Sequence, residues 1–162
     1  MHVSSTWDEQ DRGGRWVAVQ FALIAVTVAA AWAPPGWPDR IQVPLAAFGA
    51  VLALLGGFGA VWSWRSLGPA ATPFPRPTGS GSLIEHGPYG VVRHPIYAAA
   101  LVFFTGFGLA TSPAVFVPLA ALGLLWRNKA ALEEEWLEAR YPHYAEYRER
   151  VRGAFVPRSP GD

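Results

Sequence analysis

The 162-residue sequence contains no cysteine, and charged residues are scarce in it. Without cysteine the chain can form neither a disulfide framework nor a thiolate metal site. Asp, Glu, Lys and Arg together make up 15% of the residues, whereas about 25% is usual in soluble domains. The shortage of charge therefore argues against an ordinary soluble domain.

Apolar residues are correspondingly abundant, since hydrophobic side chains account for 51% of the chain and include eight tryptophans and nine phenylalanines. Most of them fall in four runs that approach the length needed to cross a hydrocarbon core of about 30 Å. The runs are residues 16–33, 43–64, 95–110 and 113–126. We therefore predict an all-α fold, a single domain over residues 1–162 that forms an integral membrane bundle of about four transmembrane helices.

The third and fourth runs are separated by a break of two or three residues around Ser112. A break this short between helices predicts an antiparallel hairpin. After Trp126 the chain turns polar, but apolar residues still recur at helical spacing. We predict that residues 127–152 form a C-terminal cytoplasmic amphipathic helical region at the membrane surface.

The second run contains Gly49, Gly56, Gly57 and Gly59, small residues that allow another helix to approach closely. The protein could therefore be a monomer, or a homodimer that associates through this glycine face. The tryptophans at the ends of the apolar runs, such as Trp37, are interpreted as an interfacial belt.

Basic residues are distributed unevenly between the two predicted sides of the membrane. Of the thirteen Lys and Arg residues, only Arg40 lies in a predicted outer loop. This asymmetry follows the positive-inside rule and predicts that both termini are cytoplasmic. The N-terminal residues 1–15 lack a small-residue cleavage site, so no signal peptide is expected.

The predicted cytoplasmic loop, residues 66–94, is rich in proline and glycine. Residues 78–82 have the composition of a flexible linker. The loop ends in a dense polar cluster, Gly87 to Tyr97, immediately before an apolar helix. Because long loops in compact domains are usually functional or disordered, and this one ends in such a cluster, we favour a functional site.

The hairpin should bring this cluster next to the acidic residues that follow the last span. Arg93 and His94 can bind an anion, and Glu133 and Glu134 can bind an ammonium group. Tyr89 and other nearby aromatic residues offer ring faces to a positive centre. Such a site suits a zwitterion and favours S-adenosylmethionine, although a phosphate-bearing nucleotide or a lipid head group fits the same residues.

A set of motifs in the second half of the chain resembles the isoprenylcysteine carboxyl methyltransferase family and, more broadly, the related phospholipid methyltransferases. The resemblance covers roughly residues 83–157, and its specificity lies in the ordered set. The motifs are Gly87-Pro88-Tyr89, Val92-Arg93-His94-Pro95-Ile96-Tyr97, Trp126-Arg127, Glu133-Glu134, and the tail tyrosines Tyr141, Tyr144 and Tyr147. The resemblance implies a small integral-membrane enzyme that transfers a methyl group from S-adenosylmethionine and releases S-adenosylhomocysteine. As in that family, no dinucleotide-type glycine motif is present.

The resemblance also implies roles for individual residues. Tyr89, His94, Pro95 and Tyr97 match the cofactor site, and one residue of the pair Glu133 and Glu134 would hold the amino acid portion of the cofactor. The predicted catalytic residues are Arg93, His94 and Arg127: either arginine could orient a carboxylate acceptor, and His94 could serve as the base for an amine. Lys129 departs from the family, because many bacterial members carry an arginine near this position. Tyr144 and Tyr147 are interpreted as packing residues.

Two other function classes fit parts of the same pattern. Membrane sterol and enone reductases end in a similar segment and use NADPH, but their tails generally lack a glutamate-rich helix. A non-enzymatic membrane protein could use the polar cluster to bind anionic head groups. In all three cases the expected partners are the bilayer and a lipophilic molecule or lipid, without nucleic acid and without a metal, since neither His2 nor His143 has metal-ligand spacing.

Overall fold

The computed structural model describes residues 13–75 and 82–158. This part of the chain contains five α-helices, and the prediction of an all-α fold is confirmed. The helices are α1 (Gly14–Ala29), α2 (Asp39–Leu67), α3 (Pro95–Ala110), α4 (Phe116–Arg140) and α5 (Tyr144–Arg150). The predicted linker at 78–82, except Ser82, and the N-terminal residues before Gly13 lie outside the described residues.

Three helical segments are long and apolar enough to cross a membrane, namely Gly14–Trp32, Asp39–Ala70 and Pro113–Arg140. The segment Pro95–Ala110 is apolar but shorter. The prediction of about four spans therefore corresponds to three full-length helices and one shorter helix.

Helix α4 does not end where the apolar run ends at Trp126. Residues 124–140 contain neither glycine nor proline and are rich in Leu, Ala, Glu and Arg, which favour a helix. The helix stops when the extended Tyr141 precedes Pro142, since the α conformation is disfavoured before proline. The acidic residues that follow the fourth apolar run consequently lie on the same continuous helix as the run itself.

Helices α2 and α3 pack against each other more extensively than any other pair in the described part of the chain. A Cβ atom added to Gly56 would collide with the backbone nitrogen of Phe103, and one added to Gly49 would lie 2.7 Å from the backbone nitrogen of Ala110. The predicted close approach at these glycines is therefore correct, but the partner is α3. The face formed by Gly49 and Gly56 is thus buried against α3 within the chain.

Helix α1 runs antiparallel to α4, and the buried core lies between α1, α3 and α4. The fully or nearly buried members of this core are Phe104, Leu119, Leu122 and Trp126, with Leu23 and Ile24 of α1 packed against them. Although α3 and α4 are consecutive in the chain, α3 packs mainly against α2 and α4 packs mainly against α1.

At one end of the bundle, hydrogen bonds join the α1–α2 connection to the α3–α4 connection. The Ser112 hydroxyl lies 2.9 Å from the carbonyl oxygen of Ala33 and 3.0 Å from that of Pro35. The Trp37 indole N–H donates to the carbonyl oxygen of Gly108 at 3.0 Å. Trp37, interpreted from the sequence as an interfacial residue, therefore also closes this end. The polar cluster lies at the opposite end, where α1 and α3 begin and α2 and α4 end.

Candidate functional site

The polar cluster is placed by a tight turn and a proline at the start of α3. Gly87 adopts a φ of +61°, which residues with a side chain rarely adopt, and it begins the short 3₁₀ turn that buries Tyr89. Pro95 occupies the first turn of α3, where its missing N–H leaves no helical hydrogen bond unmade. His94 is consequently held at the N-cap of α3, facing α4.

Arg93 ties three parts of the chain together. Its Nε and Nη2 atoms donate to Glu134 Oε1 and Oε2 at 2.8 and 3.3 Å, the two-pronged geometry that makes arginine–carboxylate pairs strong. Its Nη1 atom donates to the carbonyl oxygens of Val151 and Arg152 at 2.8 and 2.6 Å. Arg93 thus holds the start of α3, the middle of α4 and the C-terminal segment in one position.

His94 lies between the two predicted glutamates. Its Nε2 atom is 2.9 Å from Glu134 Oε1, and its Nδ1 atom is 3.4 Å from Glu133 Oε2. Burial lowers the pKa of His94, but the hydrogen bonds and charges of Glu133 and Glu134 outweigh burial and leave the pKa raised. Only the imidazolium form can donate to both carboxylates, so this geometry suits the protonated ring.

The raised pKa of His94 predicts how stability depends on pH. Its ion pairs should contribute fully below the unfolded-state pKa of about 6.5 and be lost as the pH rises through the higher folded-state pKa. We expect the melting temperature of the purified protein to fall over this range, and His94→Gln to remove that part of the fall. His143, which is exposed beside Glu146, provides the control: if His143→Gln flattens the profile equally, the assignment to His94 is wrong.

Glu133 and Glu134 are adjacent in sequence but differ in their surroundings. Glu133 lines a cavity and accepts a hydrogen bond of 2.5 Å from the Tyr97 hydroxyl. The Tyr97 ring is stacked between His94 and Trp126, with ring centroids 5.8 and 5.5 Å away. Glu134 is instead occupied by Arg93 and His94. Of the two residues, Glu133 is therefore the one that lines the cavity.

The cavity has a volume of about 380 Å³ and lies between the ends of α1, α2 and α3, the C-terminal half of α4, and α5. Along α4 it is lined by Lys129, Glu133 and Leu137, which share a face because they are spaced by four residues. One end is polar, with Gln20, Arg93, His94, Lys129 and Glu133. The other end is aromatic and aliphatic, with Leu83, Ile84, Tyr89, Leu137, Tyr141, Tyr144 and Tyr147.

Lys129 is fully buried in the wall of this cavity. Its Nζ atom donates to Gln20 Oε1 at 2.9 Å and to the carbonyl oxygen of Pro73 at 2.6 Å, and it lies 5.5 Å from the centroid of the Tyr97 ring. Gln20 also accepts a hydrogen bond from the Trp126 indole at 3.1 Å. Sequence reasoning did not assign either residue to the site, although Gln20 interrupts an apolar run and Lys129 precedes Glu133 by one helical turn.

The structure brings most of the predicted site residues together, but in a different arrangement. The sequence predicts that Arg93 and His94 bind an anion and that the glutamates bind an ammonium group, whereas Arg93 and His94 bond directly to the glutamates. Arg127 is exposed on α4 and does not line the cavity. Lys129, two residues along the helix, lines it instead.

Tyr144 and Tyr147 are both buried, as their interpretation as packing residues implies. The Tyr147 hydroxyl donates to the carbonyl oxygen of Tyr89 at 2.8 Å, and burial raises the pKa of Tyr147 to about 12. The Tyr144 hydroxyl, in contrast, has no hydrogen-bond partner among residues 13–75 and 82–158. Within the same residues, no group of three or more His, Asp and Glu side chains is arranged to hold a metal ion.

The part of the chain that forms this site is similar to known proteins. The model of the phospholipid methyltransferase family matches residues 45–143, a region that starts within α2 and includes most of the cavity wall. The cobalt-zinc-cadmium resistance protein CzcN of Cupriavidus metallidurans is 37% identical over 81 residues, which cover 49% of this chain and 37% of that protein. The nickel-cobalt-cadmium resistance protein NccN of Alcaligenes xylosoxydans xylosoxydans is 31% identical over 81 residues, 49% of this chain and 38% of its own length. The matched region thus spans less than two-fifths of these relatives.

Proposed function

Because this chain belongs to the phospholipid methyltransferase family, we propose that it transfers a methyl group from S-adenosylmethionine to a lipophilic acceptor. The observation that supports this most directly is the cavity with one polar and one aromatic end, into which Glu133 presents its carboxylate. Its volume of about 380 Å³ falls within the range of small-molecule sites, roughly 300–1,000 Å³.

The side chains around the cavity fit this cofactor. The Glu133 carboxylate can take the ammonium group of the amino acid portion, and the ring faces of Tyr89 and Tyr97 favour a positive sulfonium centre. A buried hydroxyl without a partner, that of Tyr144, is available to a ligand at the aromatic end. When bound, S-adenosylmethionine supplies an electrophilic methyl group, and S-adenosylhomocysteine is the product.

The residues of the cluster have different roles in this proposal. Tyr97 and His94 orient Glu133 through their contacts with its two oxygen atoms. Arg93 is a positioning residue, because its contacts go to Glu134 and to backbone carbonyl groups. Holding both reactants in alignment accounts for much of the expected rate enhancement.

Lys129 is the residue we assign to orienting an anionic acceptor. Arg93 is occupied by Glu134, and Arg127 is exposed, so neither residue proposed from the sequence is placed for this task. A carboxylate acceptor needs no base. An amine acceptor needs one, and His94 is poorly suited because both of its ring nitrogens face carboxylates.

The acceptor is proposed to enter from the bilayer at the cytoplasmic face, with both termini in the cytoplasm. Phe21 of α1 and Trp64 of α2 line the cavity, yet about half of each side chain is exposed, 55% and 48%. Residues that border both the cavity and the outer surface of the bundle indicate a lateral opening between α1 and α2. The uneven distribution of Lys and Arg supports the cytoplasmic assignment.

The proposal is tested by calorimetric titration of the purified protein in lipid nanodiscs with S-adenosylmethionine and S-adenosylhomocysteine. We expect saturable binding of both. Transfer of a labelled methyl group should then be measured over prenylated cysteine carboxylates, isoprenoid acids and phosphatidylethanolamine. Absence of cofactor binding would contradict the proposal, and binding of NADPH in its place would favour a reductase.

Glu133→Gln should weaken cofactor binding while preserving the fold. The change keeps the shape of the side chain but removes the charge that pairs with the ammonium group, so we expect the affinity for S-adenosylmethionine to fall roughly tenfold to a hundredfold. The matched control is Glu135→Gln on the exposed side of the same helix turn. Equal affinities of the two variants would show that Glu133 does not hold the ammonium group.

A further inference from the structure

The hydroxyl of Tyr144 is the unexplained polar atom of this cavity. The side chain is completely buried and lines the aromatic end, but its hydroxyl has no hydrogen-bond partner anywhere in the part of the chain that the structure describes. Leaving a buried hydroxyl without a partner is costly, and such groups in native proteins call for an explanation. A ligand that supplies the missing partner is the simplest one.

The neighbouring Tyr147 provides a comparison within the same helix. The two rings lie 5.7 Å apart, and both hydroxyls are buried, but that of Tyr147 donates to the carbonyl oxygen of Tyr89. Burial also raises the pKa of Tyr144 well above its usual range. The Tyr144 hydroxyl therefore keeps its proton at neutral pH and can act as a donor to a ligand.

The surroundings of Tyr144 indicate what kind of ligand group lies there. Leu83, Leu137 and Tyr141 pack around the tyrosine pair, so this end of the cavity is apolar and partly aromatic. A flat heteroaromatic ring is compatible with such walls, and its ring nitrogens accept hydrogen bonds at the edge. The charged side chains that act on Tyr144 already have partners, Arg93 with Glu134 and Arg148 with Glu138, so none is left as a counter-ion for a charged ligand group.

The position of this end relative to Glu133 agrees with the same ligand. Lys129, Glu133 and Leu137 follow one another along α4 at four-residue spacing, which corresponds to steps of about 6 Å. The aromatic end therefore begins about one helical turn beyond the carboxylate. If the ammonium group of a molecule binds to Glu133, another part of the same molecule can therefore contact Tyr144 at the aromatic end.

We propose that Tyr144 is a specificity-determining residue whose hydroxyl donates a hydrogen bond to a ring nitrogen of the purine base of the bound cofactor. This inference rests on the proposed function, and it assigns to Tyr144 a role beyond packing. It also explains why one tyrosine of the pair has a partner within the protein and the other does not.

The test is Tyr144→Phe in the full chain, with Tyr147→Phe as the matched control. The affinity for S-adenosylhomocysteine should fall roughly fivefold to tenfold in Tyr144→Phe, and the affinity for adenosine, measured by competition, should fall by the same factor. The melting temperature of the ligand-free protein should rise by about 1–3 °C, because a hydroxyl without a partner is removed. In Tyr147→Phe the melting temperature should instead fall, because the hydrogen bond to the carbonyl oxygen of Tyr89 is lost.

Three results would overturn the inference. The affinity of Tyr144→Phe for S-adenosylhomocysteine could equal that of the wild type. Its affinity for adenosine could be unchanged while that for S-adenosylhomocysteine falls, which would place the bond at the amino acid portion. Its melting temperature could fall as in Tyr147→Phe, which would mean that water already satisfies the hydroxyl. Failure of the wild type to bind S-adenosylhomocysteine would instead contradict the proposed function itself.

Discussion

Replacing Glu134 with alanine is expected to lower the free energy of unfolding by about 3–5 kcal/mol, the usual cost of removing one partner of a buried ion pair. The side chains of Arg93 and His94 are only 11% and 5% exposed, so both would lose a carboxylate partner in a place largely shielded from water. The loss should extend to the C-terminal segment, because Arg93 also holds Val151 and Arg152.

The measurement is thermal denaturation of the purified variant in detergent, with Glu135→Ala as the control. Glu135 is on the same helix but exposed, so the two variants share the same change in helix propensity and differ in the lost ion pair. We expect a clear decrease in melting temperature for Glu134→Ala and little change for Glu135→Ala. Similar melting temperatures would mean that the cluster does not stabilise the fold.

Gly56→Leu is expected to destabilise the bundle by about 3 kcal/mol or more, at the upper end of the range for overpacking. A Cβ atom at this position would collide with the backbone nitrogen of Phe103 and lie 2.7 Å from the carbonyl oxygen of Ala99. These are main-chain atoms, which cannot rotate away as a side chain does. Helices α2 and α3 would have to separate, and the start of α3 would move with them.

The neighbouring Gly57 makes a close control, because leucine there changes helix propensity equally. The nearest atom to a Cβ on Gly57 is the Cδ2 atom of the Phe103 ring at 3.8 Å, an ordinary contact. We expect Gly57→Leu to retain its melting temperature and cofactor affinity, and Gly56→Leu to lose both. If both variants denature at the same temperature, steric contact with α3 is not what requires glycine.

These two changes affect the site by different routes. Glu134 acts within the polar cluster, where it holds Arg93 and His94. Gly56 lies in the middle of α2, away from the cavity, and acts by setting the distance between α2 and α3. A loss of cofactor affinity in Gly56→Leu without any loss in Gly57→Leu would therefore connect helix packing to the geometry of the cavity.

The sequence alone determined the helical class, the antiparallel order of the helices and the meeting of Arg93 and His94 with the glutamates. These features depend on local properties: the apolar runs are long enough to be helices, and a short break at Ser112 forces α4 to return along α3 toward the same end. The ordered motifs from Gly87 to Glu134 also pointed to the family that the match over residues 45–143 establishes.

Only the tertiary structure decided which side chains face the cavity. Glu133 and Glu134 are separated by about 100° around the helix axis, so a small rotation of α4 determines which one lines the cavity and which one pairs with Arg93. Lys129 lies in the site because α1 brings Gln20 to it across 109 residues of sequence, while Arg127 points to the outside. Helical periodicity specifies which residues of one helix share a face, but the packing between helices determines what that face contacts.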